Sequence, residues 1–232
     1  MASNNAYGPQ IVTEGLVCNL DTSNSKSYPG AGTTWYDLST KGNNAALTNA
    51  PVFGTDSTTG GNYFDFDGSS DYCLITTNTA LNAMEVPTFI AWFYADAISA
   101  EGNLVSKEYA PRLLSARNSV SSGGMEVHYA SSSYAQVNTD AIGMVAGRWY
   151  MMAGNVNAGG DVRLFVNGEL VDLTAGAADG VYTNSENIGI GAKPGGTHFY
   201  NGKISIVQIY DRPLNHAEIK QNYNAHRARF GL

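Results

Sequence analysis

Two short alternating runs joined by Asn167-Gly168 constrain the fold of this chain more than any other feature of its sequence. The run 162–166 alternates aliphatic residues with Arg163 and Phe165, and a second apolar run begins just after the Asn-Gly pair. Asn and Gly both tolerate the positive φ angles that a two-residue hairpin turn requires. The segment therefore predicts an antiparallel β-hairpin.

Similar strand-like runs recur along the chain, separated by turns rich in glycine, asparagine and aspartate. They cover residues 16–20, 63–66, 72–75, 125–129, 149–156 and 203–210, and the polar stretch 54–62 is typical of a surface loop. The run 88–94 is apolar at nearly every position, as expected for a central strand buried on both faces. No βαβ alternation is visible, so about a dozen short strands predict antiparallel sheets.

The first of these runs predicts a strand with two different faces. Leu16, Cys18 and Leu20 are expected on one face, and Val17 and Asn19 on the other, because side chains alternate along a strand.

The last element is predicted to be a helix that begins after Asn215. Glu218 lies three residues further on, which is the spacing of a capping box. Leu214 and Ile219 have the spacing of a hydrophobic staple, and Gly231 is placed to end the helix.

The domain organisation is simple. Residues 1–13 are polar, contain Pro9 and predict an extended arm. Residues 14–232 show no proline-rich linker, composition break or internal repeat, so they predict one domain. The arm is expected either to be a disordered tail or to lie on a neighbouring subunit.

The charge balance argues against a nucleic-acid partner. The net charge is −7 and the pI is near 4.9, whereas phosphate contacts need clustered Lys and Arg. The segment 201–232 is an exception, with five basic and two acidic residues. It is expected to be either a helix end with a complemented dipole or a docking surface for an acidic partner.

Targeting signals are also missing from the sequence. The first residues do not have the charged and apolar regions of a signal peptide. The most apolar window, residues 86–95, is about ten residues long and too short to span a bilayer. We therefore expect a protein made in the cytoplasm, with no membrane insertion.

The chain has two cysteines, Cys18 and Cys73, which is too few for a disulfide framework. Each lies in an apolar strand pattern. They are predicted to be buried free thiols, with a disulfide between them as the alternative.

Several short motifs follow one another along the chain. They are Gly15-Leu16-Val17, Trp35-Tyr36-Asp37-Leu38, Phe64-Asp65-Phe66-Asp67-Gly68 with Asp71-Tyr72, Phe165-Val166-Asn167-Gly168, and Ile209-Tyr210-Asp211-Arg212-Pro213-Leu214. Together they resemble the laminin-G-like, concanavalin A-like jelly-roll domains over residues 14–230. The resemblance implies an all-β fold, an antiparallel two-sheet jelly-roll sandwich with a short C-terminal helix.

The opening motif around Trp35 and the ending, residues 222–232, are most similar to versions of this domain in tailed-phage virion proteins. That similarity implies a non-enzymatic virion structural protein, a capsid decoration or fibre-like surface subunit that stabilises the particle, adheres to glycans, or both. Its expected partners are capsid or tail proteins and surface glycans, its expected location is the virion surface, and a homo-oligomer is expected. A stand-alone carbohydrate-binding lectin is the alternative.

Glycoside hydrolysis is a weaker alternative. Glucanases of the wider superfamily carry spaced carboxylates on one strand, so that both point to the sugar. No Glu-x-Asp-x-Glu pattern is present, and Glu126 is followed by Val127 and His128. We therefore expect no catalytic residues.

A calcium site is implied by the resemblance, because laminin-G-like domains often bind this ion through aspartates and loop carbonyls. Asp67 and Asp71 are the main candidates, ahead of Asp21 and Asp37. The alternative is that Asp67-Gly68 is only a turn and that Asp71 caps backbone groups.

Carbohydrate sites combine aromatic rings with polar side chains. The aromatic candidates in polar, loop-like surroundings are Tyr109, Tyr134, Tyr182, His198 and Tyr200. Trp92 and Trp149 lie in strand patterns and are expected in the core.

Overall fold

Strands dominate the structure, a computed structural model that describes residues 9–96, 102–108, 112–116, 123–130, 133–176 and 183–232, without the side chains of residues 95, 112–116, 128–130 and 133–134. The strands of these ranges are β1 (Leu16–Asp21), β2 (Thr34–Trp35), β3 (Ala45–Thr48), β4 (Val52–Thr55), β5 (Asn62–Asp67), β6 (Tyr72–Ile75), β7 (Thr88–Ala95), β8 (Gly102–Lys107), β9 (Arg112–Ala116), β10 (Gly124–Ala130), β11 (Ser133–Asn138), β12 (Trp149–Val156), β13 (Val162–Val166), β14 (Glu169–Thr174), β15 (Ile188–Ile190) and β16 (Asn201–Tyr210). The helices are α1 (Thr79–Asn82) and α2 (His216–His226), with 3-10 turns at Asp140–Ile142 and Arg227–Phe230.

The strands form two sheets whose pairings are all antiparallel in the part of the chain described. Sheet A has the order β14-β13-β12-β7-β16-β5-β4, with β1 also paired to β16. Sheet B has the order β11-β10-β9-β8-β15-β6-β3-β2. The predicted central position of the 88–94 run is confirmed, since β7 lies between β12 and β16.

The inner faces of the two sheets share one hydrophobic core. Sheet A contributes residues such as Phe64 and Phe93, and sheet B contributes residues such as Ile75 and Val127. This shared core confirms the predicted two-sheet jelly-roll sandwich.

A second apolar cluster covers the outer face of sheet A. Trp92 and Ile206 of the sheet pack there against Ile219 of α2 and Phe230 of the following turn. The rings of Trp92 and Phe230 are stacked with centroids 4.4 Å apart. Because the centre of sheet A is buried on both faces, strand β7 is apolar at nearly every position.

The predicted hairpin turn between β13 and β14 and the predicted capping box of α2 are both present. Asn167 and Gly168 have φ angles of 51° and 82° between β13 and β14. Asn215 and Glu218 form the reciprocal capping box at the start of α2. Gly231, with φ 70°, ends the 3-10 turn that continues α2 rather than α2 itself.

The faces of β1 and the length of one loop differ from the sequence-based expectations. A register shift between Leu16 and Cys18 places Leu16 against the outer cluster, whereas Val17 joins Cys18 in the core. A bulge adds one residue to a strand and therefore reverses the faces beyond it. The expected surface loop 54–62 is shorter, because β4 continues to Thr55 and β5 starts at Asn62.

The end of the predicted arm is packed on the domain. The amide of Val12 donates a hydrogen bond to Asn222 Oδ1 (2.8 Å), and its carbonyl accepts one from Tyr210 Oη (2.9 Å). Gln221 also donates to the carbonyl of Gln10 (2.7 Å). The packed domain therefore includes residues 10–13, because these side chains supply the partners that their backbone would otherwise lack.

Cys18 and Cys73 are buried free thiols, as predicted. Burial raises the pKa of both thiols well above its usual value, so both stay protonated. None of the described helices has both the length and the apolar character needed to cross a membrane.

Candidate functional site

Strand register brings five side chains into one row across sheet A. Trp149 of β12 lies opposite Tyr94 of β7, which lies opposite Lys203 of β16. Lys203 lies opposite Asp65 of β5, and Asp65 lies opposite Val52 of β4. Directly opposite residues project to the same face, and Trp149 packs in the outer cluster. The row therefore lies on the outer face, with Val52, 66% exposed, at its open end.

An open groove lies at the Trp149 end of this row and encloses about 450 Å³; we call it the Trp149 groove. Four separate segments line it: Asp56, Thr58 and Thr59; Tyr94; Gly147, Arg148 and Trp149; and Phe230, Gly231 and Leu232. Thr58 and Arg148 are exposed and Tyr94 is half-buried, whereas Trp149 and Phe230 are buried. The groove thus has a buried aromatic floor and a polar rim.

One hydrogen bond joins the floor to the rim. The indole N–H of Trp149 donates to Asp56 Oδ2 (3.0 Å), and Asp56 Oδ1 accepts the amides of Thr58 and Thr59 (both 2.9 Å). Burial alone would raise the pKa of Asp56, but these donors lower it below its usual value. Asp56 is therefore ionised at neutral pH, and it holds the β4–β5 turn against Trp149.

Aromatic contacts fix the floor from below. The ring of Trp149 lies 5.7 Å from that of Tyr94 in an edge-on arrangement and 4.8 Å from that of Phe230. Such pairs stabilise one another beyond the area they bury. The floor is therefore preorganised on two neighbouring strands and the C-terminal turn.

Beyond Tyr94, Lys203 is shared by two carboxylates. Its Nζ lies 3.1 Å from Asp96 and 3.9 Å from Asp65, and it lies over the rings of Tyr94 (4.7 Å) and Tyr63 (5.5 Å). Burial alone would lower the pKa of Lys203, but the two carboxylates raise it above its usual value. The positive charge of Lys203 is therefore compensated within the domain.

The predicted aromatic candidates do not converge on this groove. Tyr200 is 1% exposed, and its hydroxyl donates to the carbonyl of Tyr94 (2.8 Å), so this prediction is wrong: Tyr200 is a core residue. Tyr109 and Tyr182 lie outside the described residues, and Tyr134 lies in β11 without a described side chain. These three stay predictions.

His198 is exposed and has a left-handed backbone, with φ 55°. Its carbonyl accepts hydrogen bonds from the amide and the Nδ2 of Asn103 (both 3.2 Å). Its ring nitrogen Nδ1 lies 3.2 Å from Thr197 Oγ1. His198 stays a candidate on the surface, but it does not line the Trp149 groove.

The Asp67 carboxylate does not fit a calcium ligand. Its Oδ1 accepts the amides of Ser69, Ser70 and Asp71 (2.8, 2.8 and 3.0 Å), and its Oδ2 accepts the hydroxyls of Ser69 and Ser70. These bonds, led by the Ser69 hydroxyl, hold the pKa of Asp67 far below its usual value.

The other proposed calcium ligand, Asp71, belongs to no group of three potential metal ligands in the part of the chain that the structure describes. Burial, followed by the charge of Asp67, raises the pKa of Asp71. Across the described ranges, no three His, Cys, Asp or Glu side chains lie close enough to hold a metal ion. The geometry therefore favours the turn over the calcium site.

Glu126 occupies the outer face of sheet B. It is 7% exposed and accepts a hydrogen bond from Gln136 Nε2 (3.0 Å), its neighbour on β11. It is the only acidic residue of β10. The strand thus has a single carboxylate where the two-carboxylate mechanism of glycoside hydrolysis needs two.

The two-sheet jelly-roll sandwich is a fold that lectin domains share. Residues 67–220 match the model of the concanavalin A-like lectin/glucanases superfamily. The match covers more than half of the chain, so the chain belongs to this superfamily, as its motifs predicted. A search of the curated proteins gave no match.

The solved structures with a similar fold include several toxin binding domains. They include the binding domain of Paraclostridial Mosquitocidal Protein 1 (TM-score 0.70, 14% identity, 91% of this chain and 52% of that one). Two others are the receptor binding domain of botulinum neurotoxin C/D mosaic serotype (0.68, 15%, 91% and 51%) and the binding domain of botulinum neurotoxin DC in complex with SialylT (0.66, 13%, 92% and 52%). The chain spans about half the length of these domains, and at such identities the likeness shows the fold alone.

The Trp149 groove was not predicted from the sequence. Trp149 itself was correctly expected in the core. Asp56 and Thr58 lie in the polar stretch 54–62, which predicts only a surface loop, and no sequence motif includes Arg148 or Tyr94. The only signal was the aromatic Tyr94 at the end of a central strand, which by itself predicts packing.

Proposed function

We propose that this chain is a non-enzymatic carbohydrate-binding domain and that the Trp149 groove is its binding site. The observation that carries the proposal is the combination in one open groove of a half-buried aromatic ring, Tyr94, with exposed polar side chains, Thr58 and Arg148. Rings pack against the C–H faces of sugars, and polar groups bind the hydroxyls. Membership of a superfamily of lectins and glucanases supports this class of ligand.

The groove is also rigid enough for recognition. Tyr94 and Trp149 sit on adjacent strands in the middle of sheet A, and the Asp56–Trp149 hydrogen bond holds the turn that presents Thr58. Binding costs less entropy when the contacting groups are already fixed.

The non-enzymatic part of the proposal rests on the carboxylates. Strand β10 contains a single acidic residue, Glu126, and both oxygens of Asp56 already accept hydrogen bonds. Neither arrangement supplies the acid and base pair of a glycosidase.

The test is binding by the isolated chain, first on a glycan array and then by titration calorimetry with the best ligand. Tyr94→Ala and Thr58→Ala should each weaken binding, whereas Tyr36→Ala should not. Tyr36 is a suitable control because it is 46% exposed and does not line the groove. Thr58 is exposed, so its variant should fold normally; equal binding by all three variants would overturn the proposed site.

We further propose that the domain acts on a virion surface, as a capsid decoration or fibre-like subunit attached to capsid or tail proteins. The motifs around Trp35 and at residues 222–232 support this proposal. Because residues 10–13 pack on the domain, the attachment segment would be residues 1–9. Deleting residues 2–9 should leave the melting temperature unchanged and abolish incorporation into particles; normal incorporation would contradict it.

A further inference from the structure

The rim of the Trp149 groove carries a positive charge that forms no ion pair among the described residues. Arg148 is exposed, directly precedes Trp149 in the chain and lines the groove. Among the described residues, its guanidinium has no hydrogen bond or ion pair. Lys203, on the other side of Tyr94, differs because it is paired with Asp65 and Asp96.

The acidic side chain of the groove does not balance Arg148. Asp56 uses Oδ2 to accept the indole N–H of Trp149 and Oδ1 to accept the amides of Thr58 and Thr59. A carboxylate that is held in this way by fixed donors is a poor acceptor for a ligand hydroxyl. Of the side chains left to meet a ligand, Arg148 offers only donors, and Thr58 has a hydroxyl that can donate or accept.

A groove that offers donors and a free guanidinium fits a ligand rich in acceptors. The planar guanidinium forms two parallel hydrogen bonds to a carboxylate or a similar oxyanion, and these charge-assisted bonds are about twice as strong as neutral ones. The chain as a whole has a net charge of −7 and does not attract anions. A preference for an anionic ligand would therefore come from Arg148.

We propose that the Trp149 groove selects saccharides that carry an anionic group, which pairs with Arg148 while the sugar ring packs against Tyr94. The inference rests on the proposed carbohydrate-binding function and adds the class of sugar. The anionic group can be a carboxylate or a sulfate, because both present oxygens to the guanidinium fork.

The experiment is titration calorimetry of the full chain with three probes: lactose, 3′-sialyllactose and 3′-sulfated lactose. The wild-type protein should bind at least one of the anionic sugars about 10-fold or more tightly than lactose. Which of the two is preferred distinguishes a carboxylate from a sulfate. The preference should decrease at high salt, because the site is exposed.

Substitutions of Arg148 and of a control arginine test whether the preference depends on the positive charge of Arg148 or on the folded state of the domain. Arg148→Gln should abolish the preference, because it should weaken binding of the anionic sugars far more than binding of lactose, and Arg148→Lys should keep part of it. Arg227→Gln is the matched control, since Arg227 is also exposed and does not line the groove. A preference that survives Arg148→Gln, or equal affinity of the wild type for all three sugars, overturns this inference alone. If no sugar binds, the proposed carbohydrate function fails as well.

Discussion

The indole N–H of Trp149 donates a 3.0 Å hydrogen bond to Asp56, a residue 93 positions earlier in the chain. Trp149 lies in β12, whereas Asp56 lies in the turn after β4, the strand at the far edge of sheet A. The bond therefore joins two parts of the sheet that are separated by three strands. Both residues line the Trp149 groove.

Replacing Trp149 with phenylalanine keeps an aromatic floor but removes the N–H. We expect the free energy of unfolding to fall by about 1–2 kcal/mol, because Asp56 loses a donor in a partly buried position. Chemical denaturation of Trp149→Phe, Asp56→Ala and the double variant measures this effect. The double variant should lose less than the sum of the single losses, and strict additivity would show that the two groups are not coupled.

The buried side of His226 should make stability dependent on pH. Its Nε2 is shielded from solvent without a hydrogen-bond partner among the described residues, and its ring meets Trp92 edge-on at 6.2 Å. Burial, followed by the charge of Arg229, lowers the pKa of His226 to about 4, and the charge of Asp21 partly opposes this shift.

The folded pKa of His226 lies below the unfolded value of about 6.5, so the unfolded chain takes up the proton first. Stability should therefore be lost as pH falls from about 6.5 to 4, by at most about 3 kcal/mol. Denaturation curves at pH 7.5, 5.5 and 4.5 measure it. His226→Gln should reduce the slope and His216→Gln, whose side chain is 54% exposed, should not. Parallel curves for the wild type and His226→Gln would refute the assignment.

A buried asparagine should hold the packed end of the N-terminal arm. Asn222 Oδ1 accepts the amide of Val12, and Asn222 Nδ2 donates to Tyr210 Oη (2.9 Å). Asn222→Leu should cost about 2–3 kcal/mol in unfolding free energy, because it leaves buried polar groups without partners. Gln221→Ala is the control, with a loss below about 0.5 kcal/mol expected for an exposed contact. Similar losses of unfolding free energy for Asn222→Leu and Gln221→Ala would mean that the buried hydrogen bonds of Asn222 do not hold the arm.

The turn between β13 and β14 should tolerate no side chain at Gly168. A Cβ there would lie 2.8 Å from Lys220 Cδ and 3.1 Å from Tyr223 Cβ, at a φ of 82°. We expect Gly168→Ala to lower the melting temperature more than Gly176→Ala. Gly176 also has a positive φ, 58°, but nothing lies within 4 Å of its Cβ position. The Gly176 variant therefore bears only the backbone strain, about 1 kcal/mol, and equal shifts would show that the contact at Gly168 is relieved freely.

Sequence alone was enough for features that arise from neighbouring residues. The Asn167-Gly168 turn, the Asn215–Glu218 capping box and the apolar strand 88–94 were all predicted and are all present. Their energetics involve backbone conformation and side chains within a few residues, which the local order of amino acids specifies. The superfamily also followed from motifs in order along the chain.

Tertiary packing determined the position of residues whose local sequence pattern was ambiguous. Tyr200 lies in a polar stretch and was expected at the surface, but its hydroxyl finds the carbonyl of Tyr94 and its ring is buried. Leu16 faces away from Cys18 because of one bulge. A hydrogen-bond partner more than a hundred residues away cannot be recognised from the local alternation of apolar and polar residues. The same holds for a bulge that inserts one residue into a strand pair.

The candidate groove was determined by the tertiary structure alone. Asp56, Tyr94 and Arg148 belong to segments that are far apart in sequence, and each is unremarkable in its own segment. The register of β7 with β12 puts Tyr94 beside Trp149, and the hydrogen bond from Trp149 brings in Asp56. The sequence determined that the chain would form a lectin-like sandwich, because burial patterns and turns are local. The structure determined where a ligand could bind, because a site depends on which strands pair and in what register.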